Sequence, residues 1–359
     1  MHNRNSNINE LLFLNQGSFS YDLASISPLL KKTYFSLGKL DGMLKNQSYY
    51  ELLLGPTTII ESVKSSNLES INSTILEQLE VEANSRKSFT SEQKLTHNYK
   101  IALLAGFEYI RTNQVFDLNL IKLIQGTLLP HQSKIRDTEP VVIANRATGE
   151  VLYKPPVGKK LISSYLHDWL NYANNYKQID VLVKVSVLHA QFESIHPFID
   201  GNGRTGRLLI ILFLFYKKIL SFPGLFISDY ILRTRTYYYM ALQEAQREGS
   251  FAHIIKYLIT AIFEKSEHSQ NLLENIQTLK TYFQREISTK LPQIYSKGLI
   301  DYLFVNPVYS ISSLQTYMNI NRNTASKYLH LLVENGFINH KNTRKNKVFY
   351  NSTFLKLLS

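Results

Sequence analysis

The chain has 359 residues and 41.5 kDa, 44% of them hydrophobic and 19% charged, which is enough apolar material for a buried core and excludes a disordered tail. Forty Lys and Arg against 28 Asp and Glu leave a formal charge of +12, a balance that favours anionic partners such as nucleotides, nucleic acid or a membrane surface and says nothing about fold. Without a single cysteine, disulfide scaffolds, thiolate zinc sites, iron–sulfur clusters and cysteine nucleophiles are all excluded.

The opening stretch MHNRNSNINELLFLNQ holds one apolar run, Leu11 to Leu14, too short for a secretory signal core. The longest run, Leu208 to Tyr216, is closed by Lys217 and Lys218 and falls well short of the roughly 20 residues that span a bilayer. A cytoplasmic chain that does not enter a membrane is therefore expected, and that run reads as a buried helix. Length predicts two or three domains at about 150 residues each.

Apolar residues recur at helical spacing through most of the chain, as in Leu76, Leu79 and Ala83, then Ile101, Leu104, Phe107 and Ile110. The fold is expected to be mainly α. The exception is Glu139 to Lys154, where Val141, Val142 and Ile143 precede Ala147-Thr148-Gly149 and then Val151-Leu152-Tyr153. Two β-prone runs about a glycine turn read as a hairpin, closed by Pro155-Pro156. Helices follow at Leu161 to Tyr176 and Val181 to Ser194, the latter ending near Ile195 because Pro197 disfavours helical conformation in the residue before it. A polar, helix-compatible connector occupies Phe263 to Lys290. Beyond it, Tyr295 to Phe304, Ile311 to Met318 and Asn323 to Glu334 read as three short helices, with Gly336 as the stop and Ile338 to Tyr350 as a basic β-ribbon.

The chemistry concentrates in His196-Pro197-Phe198-Ile199-Asp200-Gly201-Asn202-Gly203-Arg204-Thr205-Gly206-Arg207, which opens the most apolar helix. Its glycines free backbone N–H groups to face an anion, the helix start adds the positive end of its dipole, and Arg204 and Arg207 can reach oxygens of one ligand. A polyphosphate site follows. The spacing of Gly201, Gly203 and Gly206 also satisfies a dinucleotide fingerprint, with Asp229 about 20 residues on, but the segment before it has helical rather than strand periodicity. A Walker-type loop nearly fits through Gly201 and Gly206, yet Arg207 replaces its lysine and Leu208 its metal-binding hydroxyl. Asp200 is then the nearest metal ligand. For the two arginines the plain alternative is a solvated helix start, and for Tyr238 and Tyr239 it is core packing.

The same twelve residues match, at every defined position, the signature His-x-Phe-x-(Asp/Glu)-Gly-Asn-Gly-Arg-x-x-Arg, and the chain resembles Fic-domain proteins over roughly Asn98 to Lys265. The resemblance implies a Fic helical bundle with a small β-hairpin flap, and an enzyme that transfers AMP from ATP to a Ser, Thr or Tyr hydroxyl of a protein, the chain itself included, releasing pyrophosphate. It makes His196 the base and Asp200 the Mg²⁺ ligand. Gly201, Asn202, Gly203, Arg204, Thr205, Gly206 and Arg207 become the nucleotide-binding loop, with Tyr238, Tyr239 and Arg233 near the adenine end. Val141, Val142 and Ile143 belong to the flap that docks the target as an added strand.

Upstream, Ile60 to Ser70 resembles the family's inhibitory helix, (Ser/Thr)-x-x-x-Glu-(Gly/Asn), through Ser65 and Glu69, which fall on one helical face. The expectation is that Glu69 pairs with Arg207 and blocks the γ-phosphate. Ser70 departs from the pattern's Gly or Asn. At the other end the three helices and ribbon read as a winged helix-turn-helix, whose segment Tyr295 to Ser359 has eight basic residues against two acidic, or +6. Arg322, Asn323, Thr324 and Lys327 would start the recognition helix, and Lys341, Arg344, Lys345 and Lys347 lie in the wing. DNA binding and protein docking both stay open for it, with DNA slightly ahead because the wing is basic, and a homodimer stays open for the chain as a whole. The expected segments are 1–97, an N-terminal region with the inhibitory helix, 98–265, the Fic core, 266–290, the connector, and 291–359, the winged helix. A second class is a DNA-binding regulator with a nucleotide-sensing Fic domain. A third keeps the loop but transfers another phosphate-containing group or removes AMP.

Overall fold

The computed structural model describes residues 11–15, 21–45, 53–83, 89–137, 141–144, 151–176, 178–342 and 347–358. Its contacts divide the chain into two compact units, Met1–Asp41 with Asn98–Ser266, and Gly42–His97 with Glu267–Ser359. The cut does not follow the linear segments read from sequence. Residues 1–41 group with the central segment, whereas 42–97 group with the C-terminal one.

The described part of the first unit comprises most of α1 (Leu23–Leu44) and α4 (Ser91–Asn113), then α5 (Leu118–Leu128), α6 (Lys159–Asn175), α7 (Val181–Ile195), α8 (Asn202–Tyr216), α9 (Ser228–Arg233), α10 (Arg235–Glu248) and the beginning of α11 (Ala252–Lys290). Asp117 starts α5 by accepting the Leu120 N–H at 2.9 Å, and Asp180 starts α7 by accepting the Leu182 N–H at 2.8 Å. From Arg204 to Leu214 α8 is buried on every side, so it is the axis of this bundle, as the apolar run Leu208 to Tyr216 predicts. Helix α4 approaches it so closely that a Cβ on Gly106 would sit 2.6 Å from the Leu212 Cδ1. The Phe116 ring packs edge-on to Phe213 at 5.3 Å and stacks on Trp169 at 5.9 Å, while the Trp169 indole donates to the Leu188 carbonyl at 2.8 Å.

The hairpin is present as β1 (Ile143–Ala144) and β2 (Val151–Tyr153), antiparallel, with Ile143 opposite Tyr153. It is shorter than the sequence pattern suggests. Val141 and Val142 precede the first strand, and the turn Ala147-Thr148-Gly149 lies outside the described residues.

The second unit holds α2 (Thr58–Leu68), preceded by one wide turn at Leu53–Thr57, α3 (Ile75–Glu82), the remainder of α11, α12 (Lys297–Val305), β3 (Val308–Tyr309), α13 (Ile311–Met318), α14 (Arg322–Glu334), β4 (Asn339–Asn342), β5 (Lys347–Tyr350) and α15 (Ser352–Leu358). The sheet order β3-β5-β4 is antiparallel throughout. Helix, strand, two helices and a two-stranded ribbon in that order is the winged helix-turn-helix arrangement. The connector expected at 266–290 is helical but not separate, being the second half of the continuous α11. The N-terminal helices join this module through one apolar cluster of Ile59, Leu79, Ala83, Val308 and Val348.

Candidate active site

The loop between α7 and α8 is built by burying polar groups around a strained backbone. His196 takes the left-handed conformation, φ 49° and ψ 59°, as the residue that ends α7. A non-glycine residue there costs about 1–2 kcal/mol, and Arg136 offsets it. The Arg136 guanidinium donates to the His196 carbonyl at 2.7 Å and to the Ile195 carbonyl at 3.2 Å, and its amide donates to the Pro197 carbonyl at 3.0 Å. Burial pulls the pKa of this guanidinium below its ordinary value, and two backbone carbonyls accept from it. The His196 Nδ1 lies 3.3 Å from the Glu193 carbonyl oxygen. A carbonyl only accepts, so this contact places the hydrogen on Nδ1 and leaves the lone pair on Nε2, the tautomer a general base needs.

Gly201 follows at φ 80°, and a Cβ there would come within 2.9 Å of the Leu129 Cδ1 and 3.2 Å of the Gln125 amide. Both conformation and space demand glycine. The Gln125 side chain donates to the Asp200 carbonyl at 2.8 Å and accepts from the Thr205 hydroxyl at 2.8 Å. It thus ties both ends of the turn to α5. Asn202 uses its whole side chain on Phe198, accepting from the N–H at 2.9 Å and donating to the carbonyl at 2.8 Å. What Asn202 and Gly203 offer an anion is their first-turn N–H, which every helix start leaves without an intrahelical acceptor.

Arg204 and Arg207 are only 1% and 2% exposed, which overturns the solvated-helix alternative for them. Asp200, by contrast, is 66% exposed, with Oδ2 3.8 Å from the Arg204 Nη2 and Oδ1 accepting the Gly201 N–H at 2.6 Å. Two of the residues counted with the nucleotide-binding loop face inward instead. Thr205 is fully buried on Gln125, and Gly206 packs so tightly that a Cβ would meet the Glu193 Oε1 at 2.4 Å. They shape the loop from behind.

Tyr238 lies in the core, being 2% exposed, with its hydroxyl 2.7 Å from the His189 Nε2 and its ring 5.8 Å from that of Tyr257. Tyr239 is half-buried under the Arg235 guanidinium at 5.5 Å. Arg233 is exposed and paired with Asp229 at 3.2 Å. Ser65 is buried in α2 and Glu69 caps that helix in the second unit. Gln125 and Arg136 are absent from the sequence-based list. A glutamine inside the apolar face Leu120, Ile121, Ile124 and Leu128 was the available signal for one of them.

His189 lies behind the loop. Burial first, and Arg207 second, push its imidazole down to about 3. The unfolded chain therefore binds a proton that the folded one refuses as pH falls from about 6.5 toward 3, and stability declines over that window by up to about 1.4 kcal/mol per pH unit. The contribution is fully present above pH 6.5. Thermal denaturation from pH 7 to 4 is expected to show this slope and His189→Gln to flatten it; equal slopes would assign the acid lability elsewhere.

A Mg²⁺ ion fits the donor set. Such an ion is commonly held by one or two carboxylates plus substrate phosphates, and Asp200 presents one exposed carboxylate at the loop mouth. Among the described residues no group of three or more His, Asp or Glu could hold a metal alone, and no helix is long and apolar enough to cross a membrane.

Comparison with known proteins agrees with the loop. Residues 109–214 match the Fic/DOC family, 27–108 the Fic/DOC family N-terminal region, and 279–354 the C-terminal domain described as protein adenylyltransferase SoFic-like. A probable protein adenylyltransferase of Aquifex aeolicus is 38% identical over 27% of this chain and 27% of its own length. The Caenorhabditis elegans protein adenylyltransferase fic-1 is 24% identical over 54% of this chain and 39% of its own. The matches thus span well under two thirds of these relatives. A Fic family protein from Desulfovibrio desulfuricans shares the fold at TM-score 0.59 and 18% identity, over 94% of this chain and 98% of that one. With the twelve-residue loop intact and contiguous Fic/DOC matches covering residues 27–214, more than half of the sequence, this chain belongs to the Fic/DOC family.

Proposed function

We propose that this protein transfers AMP from ATP to a Ser, Thr or Tyr hydroxyl of a protein, the chain itself included. The carrying observation is the His196 tautomer, Nδ1 directed at the Glu193 carbonyl and Nε2 left basic, at the head of a helix start with two buried arginines. The acceptor oxygen attacks the α-phosphorus and gives its proton to the His196 Nε2. The bond from the α-phosphorus to the bridging oxygen breaks, and pyrophosphate leaves with that electron pair.

Asp200 would hold Mg²⁺, which would supply charge neutralisation for the phosphates. Arg204, Arg207 and the amides of Asn202 and Gly203 stabilise the β- and γ-phosphate oxygens. Tyr239, with one face partly open, is the place for adenine to stack, and Tyr238 fixes that helix from inside through His189. The β1–β2 hairpin, with Val141, Val142 and Ile143 leading into it, offers strand edges for the target backbone. Glu69 restrains the reaction by pairing with Arg207.

Incubation with ATP labelled on the α-phosphate, followed by intact-mass and peptide mass spectrometry, is expected to show an AMP adduct on a hydroxyl. A phosphate adduct, loss of AMP from a modified protein, or no transfer at all would replace this reading with group transfer of another kind, AMP removal, or nucleotide sensing by a regulator.

A further inference from the structure

We propose that the winged-helix face of the second unit binds duplex DNA and that Glu80 competes with the duplex for the wing. Helix α14 begins with Arg322, Asn323 and Lys327, all exposed, and none of them is in a described ion pair. Its only acidic residue, Glu334, is at the far end, and α13 has none. Asn319, left-handed at φ 51°, makes the tight turn between the two helices, and Asn321 caps α14 by accepting the Thr324 N–H at 2.8 Å. The helix start is therefore fixed, with three donor side chains standing out from its first two turns. A helix with its side chains, about 10–12 Å across, matches the width of a B-form major groove.

Strand β4, Asn339 to Asn342, is exposed along its whole length and lies at the edge of the sheet. It presents donors and a lysine, groups that grip phosphates rather than an apolar partner. Charge decides between occupants. A face with arginine, lysines and asparagines but no exposed apolar anchor on α14 suits phosphate more than a packed protein interface, whose core depends on buried aromatic and aliphatic residues.

One of these cations is held back. The Lys341 Nζ lies 2.9 Å from the Glu80 Oε1, and Glu80 is mostly buried on α3. The carboxylate is thus a built-in substitute for a phosphate. A duplex must displace it to engage the wing lysine, so binding and the Lys341–Glu80 pair exclude one another. The inference stands on the second unit alone and does not depend on AMP transfer.

The test uses the full chain and a fluorescent random-sequence duplex, read by anisotropy. With three to four phosphates neutralised, affinity is expected to fall roughly 40- to 150-fold between 50 and 200 mM salt. Arg322→Ala and Lys327→Ala each weaken binding and lower the salt slope by about one. Glu80→Gln tightens it about threefold, but not when Lys341 is also alanine. His196→Ala binds as the wild type does, which separates this result from the fate of the transfer reaction. Unchanged melting temperatures show that the exposed-residue variants are folded. No duplex binding, binding only to poly-glutamate, or a Glu80→Gln effect that survives Lys341→Ala would overturn the proposal.

Discussion

Replacing His196 by alanine is expected to lower AMP transfer about 10²- to 10⁴-fold, the range that a positioned general base contributes, while leaving ATP affinity within about twofold. The split follows from the geometry. The imidazole is oriented through Nδ1 at the Glu193 carbonyl, whereas the groups assigned to the phosphates follow Gly201 in the chain. Removing the ring deletes the proton acceptor and leaves the helix start intact. The loop itself should survive, because its strained backbone is clamped through main-chain carbonyls by Arg136. Initial rates with α-labelled ATP, set against calorimetric ATP binding, measure both halves. A rate within tenfold of wild type would remove His196 from the role of base. Equal losses in rate and in ATP affinity would instead make it a binding residue.

The candidate loop was legible in the sequence because it is contiguous, with twelve residues carrying a histidine, a carboxylate, turn glycines and arginines in fixed order. Its supports were not. Arg136 and Gln125 lie about 60 and 75 positions from the backbone they hold, and an arginine in an irregular segment gives no periodic signal. The inward-facing loop residues show a related limit. Thr205 and Gly206 share the motif with the residues proposed to meet phosphate, and only the packing of Gln125 and Glu193 against them shows that they face inward. Helical periodicity found the helices and the direction of their apolar faces, but not what covers those faces. The grouping of 42–97 with the winged helix therefore appears in the packing, through the cluster of Ile59, Leu79, Val308 and Val348 and the Lys341–Glu80 pair. Strand β3 is two residues long, below what alternation can register, and it exists because β5 pairs with it.

Replacing Glu69 by glycine is expected to raise AMP transfer about 5- to 150-fold, the span of a coupling worth 1–3 kcal/mol. Helix α2 ends in a way that fixes this residue. The Ile71 N–H donates to the Ser66 carbonyl at 3.0 Å and the Ser70 N–H to the Asn67 carbonyl at 3.1 Å, the double closure of a Schellman end. Ser70 sits at φ 60°, the left-handed position that explains why the inhibitory pattern carries Gly or Asn there; serine tolerates it at a cost of about 1 kcal/mol. Glu69 itself is the cap, at φ −92° and ψ 13°, a conformation glycine adopts without strain, so the substitution removes a carboxylate and spares the helix. If restraint comes from a charge paired with the buried Arg207, Glu69→Gln, which keeps the shape, must also activate, since it strips the guanidinium of its counter-ion and leaves it available to phosphate. If the side chain obstructs only by bulk, Glu69→Gly activates and Glu69→Gln does not. Labelled-ATP rates for the two variants separate these cases, and an unchanged rate in both would sink the lock altogether.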